Sequence, residues 1–359
     1  MSITGPLPII TLPTTDVPLP PRSPFPVTER GKFIKQFDGP EEGSGVVCFK
    51  FWQLVHASGC PFQCAYCFLQ TTTYFRMKKE ALSGQIYSNW QQMIEEVREF
   101  LASPTPRMLL VGELQDGLAF DNAYVDVTGK PLTHHLIPLF AAQKRHRLIF
   151  LTKSTVIKHA LKLEPTSQVV FSWSVNAEYV GRRWEKGAPL PSSRFAAATK
   201  IQDAGWPIRF RLDPMIPYRD DNDEWRKGYE VAIDRINSLS PEMVTIGALR
   251  ASSMGLATAA GKNGRPVDIF HYLSEKDPSG FKYRLPFEQQ VELYRFALER
   301  LDRKRIVPAL CKEDVSVWNA VGLKFKGCHC LLSGTAIPKE IISTDSFRSL
   351  QRKDNRGQN

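Results

Sequence analysis

The chain has 359 residues, 42% hydrophobic and 23% charged, which is enough apolar mass for a sizeable core and too little charge bias for a disordered tail. Its 47 Lys and Arg against 37 Asp and Glu leave a net charge of +10, which favours a polyanionic partner such as DNA and equally suits solubility. No apolar run reaches the roughly 18 residues of a membrane span, and no basic segment followed by an apolar one opens the chain, so neither a membrane anchor nor a secretory leader is expected.

Residues 1–30 hold eight prolines and read as an extended arm. Residues 31–250 alternate. Apolar, β-rich runs at Val46–Val55, Arg107–Glu113, Arg147–Thr152, Gln168–Val175, Ile208–Ile216 and Met243–Leu249 are predicted strands. Predicted helices lie between them, among them Trp90–Ala102, Leu132–Gln143, Ser193–Ala204 and Glu224–Leu239. Such alternation argues for a parallel sheet with helices outside, as an open, partial (β/α)6 barrel whose ligands sit at the C-terminal strand ends. Residues 251–344 are expected to form a C-terminal α/β subdomain. It opens with a Gly-, Ser- and Lys-rich loop (250–285), followed by a helix, a strand ending at Cys311 and another helix. Residues 345–359 read as a frayed polar tail.

The seven cysteines are an odd number in a chain with no expected leader, which argues against a disulfide framework and for a reducing cytoplasm. Three of them, Cys60, Cys64 and Cys67, lie in the loop after the first predicted strand with C-x3-C-x2-C spacing. Each iron of a [4Fe–4S] cubane needs a ligand, so three thiolates leave one iron open to a small molecule. S-adenosylmethionine can chelate that iron through its amino and carboxylate groups, and electron transfer into its sulfonium then yields a 5′-deoxyadenosyl radical. Zinc is the rival reading, but it prefers four ligands, usually as two C-x2-C pairs.

The loop Ser58-Gly59-Cys60 through Cys64-Ala65-Tyr66-Cys67-Phe68-Leu69-Gln70-Thr71-Thr72 resembles that of radical S-adenosylmethionine enzymes, and within them the spore photoproduct lyase family. That family cleaves a methylene-bridged thymine dimer in DNA. The likeness continues through Leu151-Thr152-Lys153, Ser174-Val175-Asn176-Ala177-Glu178-Tyr179, Ala204-Gly205-Trp206-Pro207 and Trp225-Arg226-Lys227-Gly228-Tyr229, over roughly residues 46–245. It implies a barrel of the radical S-adenosylmethionine type, with Lys153 and Ser174 holding the cofactor. Asp116, Asn176 and Asp213 stand at matching strand ends as further cofactor-binding candidates. A cation beside the methionyl carboxylate is the physical need that Lys153 meets, although it also reads as a solvated strand-end lysine. Ser174 and Asn176 alternate and so face one side, and Asp213-Pro214 equally reads as a strand stop. DNA and an electron donor such as flavodoxin or ferredoxin are the implied partners. The cytoplasm is the expected compartment, a host's if the chain is phage-encoded.

Two departures stand out. The lyase's hydrogen-donating cysteine falls near Glu113, and a carboxylate has no weak X–H bond to give a carbon radical. The lyase's tyrosine pair becomes Tyr66 and Phe68, so one relay position is lost. Tyr66 and Glu113 are therefore the catalytic positions to follow. A radical isomerase tolerates losing the thiol, because 5′-deoxyadenosine returns the hydrogen it took. The family resemblance extends to proteins, notably phage-encoded ones, that shift an amino acid on thymidine from nitrogen to carbon during DNA hypermodification. A lyase with a relocated donor and a radical enzyme on a non-nucleic-acid substrate remain the alternatives, with a zinc-ribbon-like binding module as a third class.

Cys311, Cys328 and Cys330, with His329, read as an auxiliary metal or iron–sulfur site, as a replacement hydrogen donor, or as reduced structural thiols. Cys48 reads as core. Arg182-Arg183 and Lys262–Arg265 are candidate DNA contacts, or ordinary solvated charges.

Overall fold

The computed structural model describes residues 29–40, 45–71, 84–219, 225–252, 267–277 and 282–332. The expected proline-rich arm apart from its last two residues, the loop Lys262–Arg265 and the polar tail lie outside them.

Eight strands form one sheet in sequence order: β1 Ile34–Phe37, β2 Phe51–Leu54, β3 Met108–Val111, β4 Arg147–Thr152, β5 Val169–Ser174, β6 Ile208–Met215, β7 Met243–Ala248 and β8 Val307–Leu310. β1 pairs antiparallel with β2, and every later neighbour pair is parallel. The helices are α1 Trp90–Ala102, α2 Asp121–Thr128, α3 Leu132–Ala141, α4 Glu178–Trp184, α5 Pro191–Asp203, α6 Trp225–Leu239, α7 Phe287–Arg300 and α8 Val315–Ala320. The α/β class with a parallel sheet matches the expectation.

Three details differ from it. The expected strand Val46–Val55 is divided: Val46–Val47 pairs with Glu313–Asp314, and only Phe51–Leu54 enters the main sheet. β1 was not expected, because Lys35 and Gln36 interrupt its apolar pattern and only its pairing with β2 makes it a strand. The strand ending at Cys311, expected in a separate subdomain, is the eighth strand of the main sheet, in parallel register with β7.

The sheet is strongly curved. β3 and β6 are three strand spacings apart, about 14 Å on a flat sheet, and β3 and β8 are five apart, about 24 Å. Yet Arg211 on β6 bonds Glu113 just after β3 at 2.9 Å, and Lys312 just after β8 reaches the same carboxylate at 3.4 Å. Only a barrel-like curve brings those ends together, and the order of strands leaves it open between β1 and β8.

The helices cover the convex side. α1 shows the rule: Met93, Ile94, Val97 and Phe100 recur at helical spacing and are all buried. Each such side chain contributes about 2 kcal/mol of burial. The concave side carries its own small core of Phe51, Met108, Leu110, Ile149, Leu151 and Val170, against which Cys330 and Leu332 pack. Buried Arg209 on β6 anchors this plug by donating to the carbonyls of His329 and Leu331.

Candidate functional site

A cavity of about 770 Å3 opens at the C-terminal ends of the strands, where a partial barrel gathers its loops. Its walls carry Cys60, Cys64, Tyr66 and Cys67 from the loop after β2, Glu113 and Asp116 after β3, Lys153 after β4, Ser174 on β5, Arg211 and Asp213 on β6, and Arg250 after β7.

The cysteine loop is held at both flanks. Ala57–Ser58 pairs with Gln85–Ile86, and Gln63–Cys64 pairs with Glu185–Lys186 just beyond α4. Gly59, at φ 82°, takes the left-handed turn that starts the loop, a conformation that favours glycine. Behind the loop lies a buried ion pair, Glu185 with Arg194 of α5, at 1% and 0% side-chain exposure. Tyr66 donates its hydroxyl to the same Glu185. Burial alone would raise Glu185, but Arg194 and Lys153 outweigh it and hold the carboxyl below its usual range. Sequence reasoning missed Glu185 and Arg194, since no local pattern marks an acid and a base that meet only when α4 and α5 pack under the loop.

Lys153 lies over the loop. Its ammonium donates to Ser174 Oγ at 2.8 Å, stands 3.9 Å from Glu185 and rests 5.6 Å above the Tyr66 ring. Asp116 aims it. One Asp116 oxygen accepts from Leu118 N, Ala119 N and Thr152 Oγ1, and the other accepts from Lys153 N. Both oxygens are thus engaged with the protein, which makes Asp116 a positioning group. The loop from β3 reaches β4 because Gly112 and Gly117 lie against Leu151; a Cβ on Gly112 would stand 2.0 Å from the Leu151 carbonyl oxygen. Asn176 is placed elsewhere. It donates to Pro214 O and accepts from the Tyr229 hydroxyl, braces β5 against β6, and does not line the cavity.

Across the cavity the chemistry is ionic. Glu113 accepts from Arg211 and from Lys312, and Asp213 pairs with Arg211 and Arg250. Burial would raise Glu113, yet the Arg211 guanidinium and the Lys312 ammonium hold it well below the usual carboxylate range. Cys311 sits on the same guanidinium, 3.1 Å from Arg211 and 3.7 Å from Arg250, and burial keeps its thiol above the ordinary value. Cys328 and Cys330 share a hydrogen bond that lowers the Cys328 thiol and raises that of Cys330. Partly buried Cys48 lies within electrostatic reach of Cys328 and Cys311, and burial pushes its thiol to about 12. Arg183 is committed to Asp268 at 2.6 Å, and exposed Arg182 lies 3.5 Å from Glu178.

Among the described residues no three His, Cys, Asp or Glu side chains converge tightly enough to share one metal ion. Cys330 packs on the concave core, and Cys311 lies against the Arg211 guanidinium. Cys60, Cys64 and Cys67 all border the cavity, and on a cubane each thiolate meets a different iron. Burial pushes the Cys64 thiol to about 12, so binding iron must displace its proton. The residues therefore fit the two cofactors: the three thiols for the cluster, with the Lys153 ammonium and Ser174 hydroxyl for the carboxylate of S-adenosylmethionine. When bound, that pair supplies a carbon radical able to abstract hydrogen from an unactivated position.

No helix among the described residues is long and apolar enough to cross a membrane. The sequence model of the spore photoproduct lyase family matches residues 51–248. The spore photoproduct lyase of Bacillus subtilis (strain 168) is 26% identical over 195 residues, 52% of this chain and 51% of the relative. That of Geobacillus sp. (strain Y412MC61) is 29% identical over 180 residues, 48% of this chain and 47% of the relative. The chain thus spans about half the length of the curated relatives it matches. In fold it is similar to a solved spore photoproduct lyase complexed with dinucleoside spore photoproduct, at TM-score 0.57 and 21% identity over 72% of this chain and 76% of the other. A substituted form with bound AdoMet and the same dinucleoside gives TM-score 0.56 at 21% identity, covering 72% and 75%. With more than half of its residues inside the family match, the chain belongs to the spore photoproduct lyase family, whose cofactors are a [4Fe–4S] cluster and S-adenosylmethionine.

Proposed function

We propose that this protein is a radical enzyme acting on a thymine-derived base in DNA, and that it rearranges an amino-acid-modified thymidine rather than cleaving a photolesion. One observation carries the choice. Glu113 occupies the strand end where the family resemblance puts a hydrogen-donating thiol, and it is a buried carboxylate clamped between Arg211 and Lys312. It has no hydrogen to give to a carbon radical. A rearrangement needs none from the protein, since the hydrogen removed from the substrate is returned to the product.

The remaining groups support the same assignment. Lys153 and Ser174 orient the cofactor carboxylate, Asp116 fixes Lys153, and the Glu185–Arg194 pair with Tyr66 stiffens the cysteine loop. A base reaching the cavity at the strand ends would leave the duplex stack to enter it. The basic balance of the chain suits DNA, and a small redox protein such as flavodoxin or ferredoxin would supply the electron.

A second reading is favoured by Cys311, which shares the Arg211 guanidinium with Glu113 and keeps its proton. It would make this a lyase with its thiol donor moved from β3 to β8. Anaerobic incubation of the reduced holoenzyme separates the two. Mass spectrometry of nucleosides should show an isomer of equal mass from amino-acid-decorated thymidine and no thymidine released from DNA carrying the spore photoproduct. Release of thymidine from the photoproduct alone would reverse the assignment.

A further inference from the structure

We infer that the side of the cavity facing the cysteine loop is an anion subsite, built from Arg211, Arg250, Lys282 and Lys312, that takes the carboxylate of a substituent on the substrate base. This rests on the reading of the substrate as an acid-decorated thymidine and adds what recognises the decoration.

The charges are unequal. Four cations face two carboxylates, Glu113 and Asp213, on this part of the wall. The carboxylates are already engaged: Glu113 by Arg211 and Lys312, Asp213 by Arg211 and Arg250. Lys282, on the short strand Lys282–Arg284, forms no hydrogen bond or ion pair through its ammonium with any described residue. Its charged neighbours are Arg250 and Lys312, of the same sign, and Asp277, which bonds the Lys282 backbone N–H rather than the ammonium. Cations gathered in a partly desolvated wall repel one another, and the complement that relieves them is an oxyanion bonded by several at once. Lys153 and Ser174 lie on the cysteine-loop side, so the cofactor carboxylate and this second anion have separate sets of donors.

A carboxylate on the base and a phosphodiester of the DNA backbone offer the same oxyanion chemistry, so both are tested. The reconstituted holoenzyme with S-adenosylmethionine is titrated anaerobically with thymidine bearing a carboxymethylamino group on its 5-methyl carbon, and with the matching carboxamide. It is titrated in parallel with thymidylyl-thymidine and its uncharged methylphosphonate. The wild type is expected to bind the acid at least about tenfold more tightly than the amide, the worth of one hydrogen bond between charged groups. Lys282→Gln should remove most of that preference, Lys282→Arg should keep it, and neither should change the affinity for S-adenosylmethionine. If the preference appears with the phosphodiester pair instead, the subsite stands and its anion is the backbone.

Equal binding within both pairs by the wild type would overturn the subsite without any variant. A Lys282→Gln protein that loses affinity for S-adenosylmethionine while keeping the acid preference would overturn it too. Failure of the isomerase reading looks different: solvent hydrogen enters the product while the acid preference persists.

Discussion

The two cysteine groups of this chain have similar residues and opposite fates. Cys60, Cys64 and Cys67 stand on a loop at the mouth of the curved sheet, strapped by strand pairing at Gln63–Cys64 and backed by the Glu185–Arg194 pair. Cys330 is drawn onto the concave core, Cys328 packs against the main core, and Cys311 is tied to Arg211 and Arg250. Thiols become ligands where the backbone presents them together to a cavity, and become packing where neighbouring side chains absorb them. Spacing in sequence reports the first condition only when the loop is short.

The largest break in that comparison comes from the first group. Cys60→Ala, Cys64→Ala or Cys67→Ala should each abolish reductive cleavage of S-adenosylmethionine and the visible absorption of the cluster. A variant that retained both would remove the loop from the chemistry. Next in size is the support beneath the loop. Arg194→Met leaves buried Glu185 with only Lys153 and Tyr66 as partners, with an expected loss of about 3 kcal/mol in chemical denaturation. A loss below about 1 kcal/mol would mean that the pair does not hold the loop.

Glu113 sharpens the contrast through pH. Its carboxyl is held below its ordinary value of 4.5, so its stabilising pairing is fully present above that pH and fades as pH falls below it. Glu113→Gln should therefore be less stable than the wild type at pH 7, and the gap should begin to narrow as the pH falls below about 4.5. A gap independent of pH would place the cause in packing. The smallest effect belongs to the second cysteine group: Cys330→Ala should cost about 1 kcal/mol of stability and leave the cluster content unchanged.

Much of the architecture was legible along the chain, because local periodicity sets it. Trp90–Ala102 is an amphipathic helix by its own pattern, and the apolar runs of β3 to β7 announce buried parallel strands. The cysteine loop was legible because its three cysteines fall within eight residues. What stayed hidden depends on curvature. Glu113, Arg211 and Lys312 lie far apart in sequence, on or just beyond separate strands, and only the bending of the sheet joins them. Asn176 misled for a related reason: alternation with Ser174 holds while the strand lasts, and the strand ends at Ser174.

With Glu113 in place of a thiol, the hydrogen of the product is expected to come from no protein thiol. The direct test is the reaction in heavy water with amino-acid-decorated thymidine, followed by mass spectrometry of the product. No solvent deuterium is expected in the product, and deuterium placed at the abstracted position is expected to return. Incorporation of solvent deuterium that disappears in Cys311→Ala would contradict that expectation and make Cys311 the donor.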